Sequence, residues 1–144
     1  MATNSINNSC GALIYCTSTH RYLFLLRHGG KFDHTWGIVG GKIEKGETIE
    51  QGLNREIQEE LGGQIKDAKI LPIEKYTSDN NKFVYHTFLI KVEEEFIPVL
   101  NDEHTGYCWA PIEGHPKPLH PGVHRTFKFE HIKEKIKIHE QIKD

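Results

Sequence analysis

The 144 residues carry a net charge of −2, with 37% hydrophobic and 26% charged side chains, which is enough apolar material for one compact domain with a real core. That near-neutral balance argues against a broad nucleic-acid or membrane-binding surface, and no apolar run approaches the length of a membrane span. Cys10, Cys16 and Cys108 are odd in number and lack a CxxC spacing, which argues against a disulfide framework or structural zinc and predicts buried reduced thiols.

Met1 to Ser9 is polar, rich in Asn and Ser, and without the basic-then-apolar succession of a signal peptide, so it reads as a flexible tail on a cytoplasmic protein. Cys10 to Thr17 and Arg21 to Arg27 read as paired strands around a short turn. A loop follows, and then a strand through Trp36 to Gly40. Arg27, His28 and Lys31 lie ahead of Trp36 as cationic side chains able to grip a phosphate.

The stretch Gly41 to Gly63, GKIEKGETIEQGLNREIQEELGG, is the most informative part of the chain. Thr48 with Gln51 forms a capping box that predicts a helix from about Ile49. Ile49, Leu53, Ile57 and Leu61 make its apolar stripe, and Gly62-Gly63 ends it because glycine accepts the left-handed conformation. At about 100° per residue, Glu56, Glu59 and Glu60 fall in an arc of roughly 100° at the edge of that buried face. Three like charges so close are unfavourable unless a cation neutralises them, and an oxygen-rich group of this kind suits Mg²⁺ or Mn²⁺. Arg55, four residues before Glu59, has the spacing of an ion pair that would orient that carboxylate. Gly52 projects into the same arc, where its missing side chain would admit the Gly40-Gly41 backbone. An ordinary solvated helix face remains the better reading for Glu44 and Glu50.

Beyond the helix, Lys69 to Tyr76 and Lys82 to Val92 read as strands joined by the polar turn Thr77 to Asn81. The second alternates, with Phe83, Tyr85, Thr87 and Leu89 on one face and Val84, His86, Phe88 and Ile90 on the other. Tyr76, Phe83, Tyr85 and Trp109 offer rings that would stack on a base, although strand aromatics ordinarily belong to the core. Glu103, in Asn101-Asp102-Glu103-His104, is a further acidic candidate, and Gly106 to Ala110 reads as a short strand. His115 to His124 reads as an ordered loop over the sheet edge; His120 and His124 have a ligand-like spacing but no Cys or carboxylate completes a zinc set. Phe127 to about Ile142 reads as a closing helix with Phe129, Ile132, Ile136 and His139 on one face. No repeat or linker divides the chain, so residues 1–144 are expected to form one domain.

The spacing from Gly41 through Glu47, Arg55-Glu56, Ile57 and Glu59-Glu60 to Gly62 resembles the Nudix box, and Trp36 to Lys42 resembles the family's lead-in to it. Val39 stands where many members carry Pro, Gly52 where a small Ala is usual, and Gly63 where an apolar residue normally closes the box. No charged position is lost. The resemblance implies an α/β fold, an α/β/α sandwich around a mixed sheet, and the order of elements permits it. It implies hydrolysis of a nucleoside diphosphate linked to a group X, by attack of water on phosphorus with Mg²⁺ or Mn²⁺ as cofactor. By positional carry-over Glu56, Glu59 and Glu60 are the metal ligands, and Gly41 offers its carbonyl. Glu47 either coordinates or supports the ligand shell, Arg55 positions, and the general base is a glutamate of the box or Glu103. Arg27, His28, Lys31 and Tyr85 are the substrate contacts expected outside the box.

Four functions fit such a chain. The first is hydrolysis of small compounds such as ADP-ribose, nucleotide sugars or dinucleoside polyphosphates. The second is a nucleoside triphosphate pyrophosphatase acting on noncanonical nucleotides. RNA 5′-end hydrolysis is disfavoured by the weak basic balance, and a non-catalytic nucleotide sensor by the self-repelling glutamate cluster. Exposed strand edges would permit a homodimer.

Overall fold

Apolar side chains alternating along the first strand sort the core into two layers, one on each face of a mixed sheet. The computed structural model describes residues 6–66 and 68–142; Met1 to Ser5 of the expected tail lie outside them. Strand β1 (Asn7–Cys16) points Cys10, Ala12 and Ile14 into one layer and Leu13 and Tyr15 into the other. It begins three residues earlier than its apolar run, because Asn7 to Ser9 continue the parallel pairing with Phe83 to Tyr85. Backbone hydrogen bonding to a neighbour overrides local polarity here.

The remaining elements are β2 (Arg21–Arg27), β3 (Trp36–Gly37), β4 (Val39–Lys42), α1 (Ile49–Leu61), β5 (Ile70–Thr77), β6 (Phe83–Val92), β7 (His104–Ala110), α2 (Pro121–Lys128) and α3 (Glu130–Gln141). A single turn of 3₁₀ helix spans Ile112–Gly114. The strands form one sheet with the path β3-β2-β1-β6-β5, in which β4 also pairs with β1 and β7 with β2. β1 meets β2 only at Tyr15↔Tyr22 and Cys16↔Arg21, while β4 takes the other end of that edge through Ser9 to Ala12. The sheet therefore forks between β1 and β2, and the segment β3 to β4 spans the fork. The glutamate helix follows directly from this segment.

On one face α1 packs Leu53, Ile57 and Leu61 against Cys10, Ala12, Ile14, Leu23, Leu25 and Ile90. On the other, Val123 and Phe127 of α2 and Ile132 and Ile136 of α3 cover Leu13, Tyr15, Tyr22, Phe24 and Leu89. Helices on both faces of a mixed sheet give the α/β/α sandwich that the sequence predicts.

The closing helix differs from its prediction. It is two helices, broken at Phe129, whose backbone is extended (φ −88°, ψ 121°). The first begins inside the segment expected to be loop, with Pro121 in its first turn and His120 as cap; the ring Nδ1 accepts from the Gly122 N–H at 3.0 Å. The preceding residues are an ordered connection, since Trp36 N–H donates to the Pro118 carbonyl at 2.8 Å and His120 N–H to the Trp36 carbonyl at 2.7 Å. The free cysteines agree with expectation: Cys10 and Cys16 are buried and Cys108 is half-buried. Among the described residues no helix is long and apolar enough to cross a membrane.

Candidate metal and catalytic centre

Helix α1 forms as its sequence dictates. Thr48 Oγ1 accepts from the Gln51 N–H at 3.1 Å and the Gln51 side chain accepts from the Thr48 N–H at 2.9 Å, while Gly62 ends the helix in the left-handed region at φ 76°. The three glutamates do not share one rim. Glu60 is 2% and Glu56 8% exposed, whereas the Glu59 side chain is 52% exposed. Helical geometry explains the difference: seven residues past Leu53, Glu60 returns to within about 20° of it, while Glu59 is turned about 120° away.

Each buried carboxylate has a specific setting. Glu60 Oε1 accepts from the Gly40 N–H at 2.8 Å, its carboxyl adjoins that of Glu103, and burial pushes its pKa up to about 9. Glu56 is raised by burial and pulled back by Arg55, whose Nη1 donates to Oε1 at 2.8 Å. Its carboxylate lies against the backbone of Gly41, where a Cβ would stand 2.6 Å from the carboxyl carbon. Gly41 is therefore the glycine that admits the close approach. A Cβ at Gly52, expected to face the Gly40-Gly41 backbone, would instead meet Ile43 at 3.1 Å and Glu47 at 3.3 Å.

Arg55 holds the loop and the helix together. Its Nε and Nη2 donate to the two oxygens of Glu47 at 2.8 and 3.0 Å, and Nη2 also donates to the Lys42 carbonyl at 2.9 Å. Glu59, the partner expected from spacing, lies at 3.3 to 3.4 Å. Glu47 Oε1 accepts in addition from the Glu44 N–H at 2.7 Å, so both of its oxygens are engaged within the protein. Truncation of Arg55 to Ala is expected to lower kcat/KM by about 10- to 100-fold and weaken Mg²⁺ binding in parallel, the range seen when groups supporting metal ligands are removed. Arg55→Lys should restore only part of either, because an ammonium cannot replace the planar fork. Kinetics beside Mg²⁺ titration by calorimetry checks this, and unchanged Mg²⁺ affinity in Arg55→Ala would count against it.

The sheet brings a second group to Glu60. Ligand atoms of Glu60, Glu103 and His104 all lie within 4.8 Å of one another. His104 is buried, and burial and then the Arg27 charge lower its pKa to about 4, so the ring is neutral at pH 7. It is paired with Arg27 across the bulged β2/β7 ladder. Arg27 Nε and His104 Nδ1 are both buried without a hydrogen-bond partner. His104 was not among the residues expected from sequence, and its only local signal is its place beside Glu103 at the start of a strand. The Tyr85 hydroxyl, whose pKa burial raises, lies over Gly11, the β1 partner of Gly40. The His28 N–H donates to the Glu103 carbonyl at 2.8 Å, tying that loop to Glu103 through backbone. Lys31 is exposed and lies 5.2 Å over the Phe32 ring.

These residues fit a divalent cation. Glu60 is a buried carboxyl whose surroundings disfavour its charge, Glu56 and Glu103 add like charge beside it, and the donors are oxygens with one neutral imidazole. A pH test follows. The Glu60 value of about 9 exceeds the ordinary glutamate value of 4.5, so between them the folded protein holds a proton that the unfolded chain releases. This stability is fully present below about 4.5 and is lost as pH rises to about 9. In EDTA the melting temperature should fall across this window, and Mg²⁺ should oppose the fall, more strongly at the higher pH because cation and proton compete. Thermal melts at pH 5, 7 and 9 check it; an identical Mg²⁺ effect at all three would contradict it.

The family model for the NUDIX domain matches residues 8–130. Nucleoside triphosphatase NudI of Salmonella typhimurium is 35% identical over 94 residues, covering 58% of this chain and 67% of that protein. In fold, the chain is similar to a MutT NUDIX hydrolase from Burkholderia pseudomallei (TM-score 0.66, 24% identity, covering 86% of this chain and 97% of that one). It is also similar to a MutT protein from Methanosarcina mazei (TM-score 0.69, 20% identity, covering 96% and 99%). With the family model spanning the sheet, the glutamate helix and the residues around Glu103, this chain belongs to the Nudix hydrolase family, whose members act on phosphoanhydride bonds.

Proposed function

We propose that this chain hydrolyses a nucleoside triphosphate to the monophosphate and pyrophosphate, by attack of water on phosphorus. The observation that carries the reading is the convergence of the Glu56, Glu60 and Glu103 carboxyls beside the Gly40-Gly41 backbone. The sequence alone placed compounds of the NDP-X type first. Similarity to a nucleoside triphosphatase over 94 residues moves the preference to triphosphates.

In this reading Glu56, Glu59 and Glu60 hold Mg²⁺ or Mn²⁺ with the Gly41 carbonyl. Bound cation screens phosphate charge and lowers the pKa of bound water toward neutrality. Glu47, with both oxygens engaged by Arg55 and backbone, supports the ligand shell rather than joining it. Glu103 is exposed and adjoins Glu60, so it is open to water and suits the general base. Arg27 directs a guanidinium with an unpaired Nε to the phosphate chain, and His28 and Lys31 extend the cationic approach from the loop. Neutral His104 accepts a hydrogen bond without adding charge. A cytoplasmic location suits this chemistry and is in keeping with three free cysteines.

The test is turnover of a panel with Mg²⁺ or Mn²⁺ beside a metal-free control: canonical and 8-oxo dNTPs, ribonucleoside triphosphates, ADP-ribose, nucleotide sugars, Ap4A and 5′-triphosphate RNA, with products identified by mass spectrometry. Metal-dependent release of monophosphate and pyrophosphate from triphosphates supports the proposal. Turnover confined to ADP-ribose, nucleotide sugars or Ap4A would replace it with the NDP-X reading, and no turnover at all would point to a sensor.

A further inference from the structure

Strand β7 opens on a histidine whose ring the fold leaves incompletely paired. His104 is 6% exposed, and its Nδ1 is buried without a hydrogen-bond partner. A buried polar atom left open costs stability unless something else comes to fill it. The ladder partner Arg27 does not serve, because its Nε is itself buried and unpartnered. Two neighbouring polar groups are thus held open rather than bonded to each other.

The backbone aims the ring. The ladder pairs Leu26 with Gly106 and Arg27 with His104, so Thr105 is one residue extra and the strand bulges. Bulges re-aim side chains and are common beside active sites. The turn before the bulge is tied at three points: the Glu103 N–H donates to Asn101 Oδ1 at 3.1 Å, the His104 N–H to the Asn101 carbonyl at 3.3 Å, and the His28 N–H to the Glu103 carbonyl at 2.8 Å. As a result, one ligand atom from each of Glu60, Glu103 and His104 lies within 4.8 Å of the other two. Donors on opposite sides of one ion stand about 4.2 Å apart, twice the usual bond of about 2.1 Å, so these three are spread about as widely as one coordination sphere. Arg27 brings a positive charge to the same place, and the carboxyls of Glu56, Glu60 and Glu103 outnumber it.

We infer that His104 is a metal ligand, and that with Glu60 and Glu103 it forms a mixed nitrogen and oxygen position that takes Mn²⁺ or Co²⁺ in preference to Mg²⁺. Mg²⁺ holds its water tightly and favours an octahedron of oxygens, whereas imidazole suits transition cations, whose affinity for such sites rises from Mn²⁺ to Co²⁺ and beyond. A lone buried water would satisfy the ring but would leave the adjoining carboxyls of Glu60 and Glu103 repelling each other. The inference rests on the cation-dependent hydrolase reading above for its carboxylates, and goes beyond it in the nitrogen donor and in the cation chosen.

The experiment is pulsed electron paramagnetic resonance on the full chain loaded with Mn²⁺, in wild type, His104→Gln and His28→Gln. Beside it run calorimetric titrations with Mn²⁺ and Mg²⁺ and turnover of the substrate panel with each cation. A coordinated imidazole nitrogen modulates the Mn²⁺ echo. The modulation should be present in wild type, change from the ¹⁴N to the ¹⁵N pattern when the histidine rings are ¹⁵N-labelled, vanish in His104→Gln and persist in His28→Gln. His104→Gln should bind Mn²⁺ at least about tenfold more weakly, while its Mg²⁺ affinity moves by less than about threefold. The substitution breaks no hydrogen bond at Nδ1, and if the variant nevertheless fails to fold, the labelled wild type carries the test. No nitrogen modulation in Mn²⁺-loaded wild type, or modulation that survives His104→Gln, overturns the inference. Turnover without nitrogen modulation leaves the hydrolase standing and removes His104 as a ligand. Modulation that depends on His104, with no turnover of any panel compound, does the reverse; failure both to bind Mn²⁺ and to turn anything over overturns the two together.

Discussion

Replacing Glu60 by Gln is expected to lower kcat/KM on the order of 10³-fold, about 4 kcal/mol of barrier, while leaving the fold intact. The two halves of this expectation have one cause. Glu60 is 2% exposed, and its environment pushes its pKa up to about 9, so charge at this position opposes folding unless a cation is present. An amide of the same shape keeps an oxygen to accept the Gly40 N–H and carries no charge to desolvate. The metal-free variant should therefore melt no lower than wild type at pH 8, and Mg²⁺ should raise its melting temperature far less. Circular dichroism melts with and without Mg²⁺, beside kinetics on the most active triphosphate, decide it. Turnover close to wild type would remove Glu60 from the centre, and a large loss of stability would show that its role is structural.

The same residue shows how far the sequence carries. The capping box, apolar stripe and glycine stop of α1 are all legible because each is a local signal within one helix and its flanks. The burial of Glu60 and Glu56 follows from their angles to Leu53 and Ile49, yet the seating of the Glu56 carboxylate against Gly41 depends on where β4 lies, which no helical periodicity contains. Arg55 illustrates the limit more sharply. Spacing offers Glu59 as its partner, but Glu47 is brought nearer by a loop fold fixed in part by the Glu44 N–H. His104 enters the site through the β2/β7 register, and register between distant strands is set by the whole sheet. The break at Phe129 hid for another reason: the apolar positions on α2 and α3 continue past it at near-helical spacing, so periodicity ran through an extended residue.

Adding one methyl group at Gly41 is expected to lower kcat/KM by about 100-fold, the size of effect that a displacement of about 1 Å in a reacting group produces. A Cβ there would stand 2.6 Å from both the carboxyl carbon and Oε2 of Glu56, and 2.7 Å from Oε1, closer than real contacts allow. The obstacle is the end of a side chain, so the structure yields by moving Glu56 and not by unfolding. Glu56 is not free to move without consequence, because Arg55 fixes it at 2.8 Å and the same guanidinium forks onto Glu47. Displacement of one carboxylate is thereby passed to the loop that carries the second. Gly46 supplies the control. It sits at φ 88° with open space around its missing side chain, so Gly46→Ala should reduce stability by about 1 kcal/mol through backbone strain and leave kcat within about twofold. If Gly41→Ala and Gly46→Ala lose the same stability and the same activity, close packing of Gly41 on Glu56 has no part in the chemistry. A loss of activity and Mg²⁺ affinity confined to Gly41→Ala, with little change in melting temperature, is the result that geometry requires.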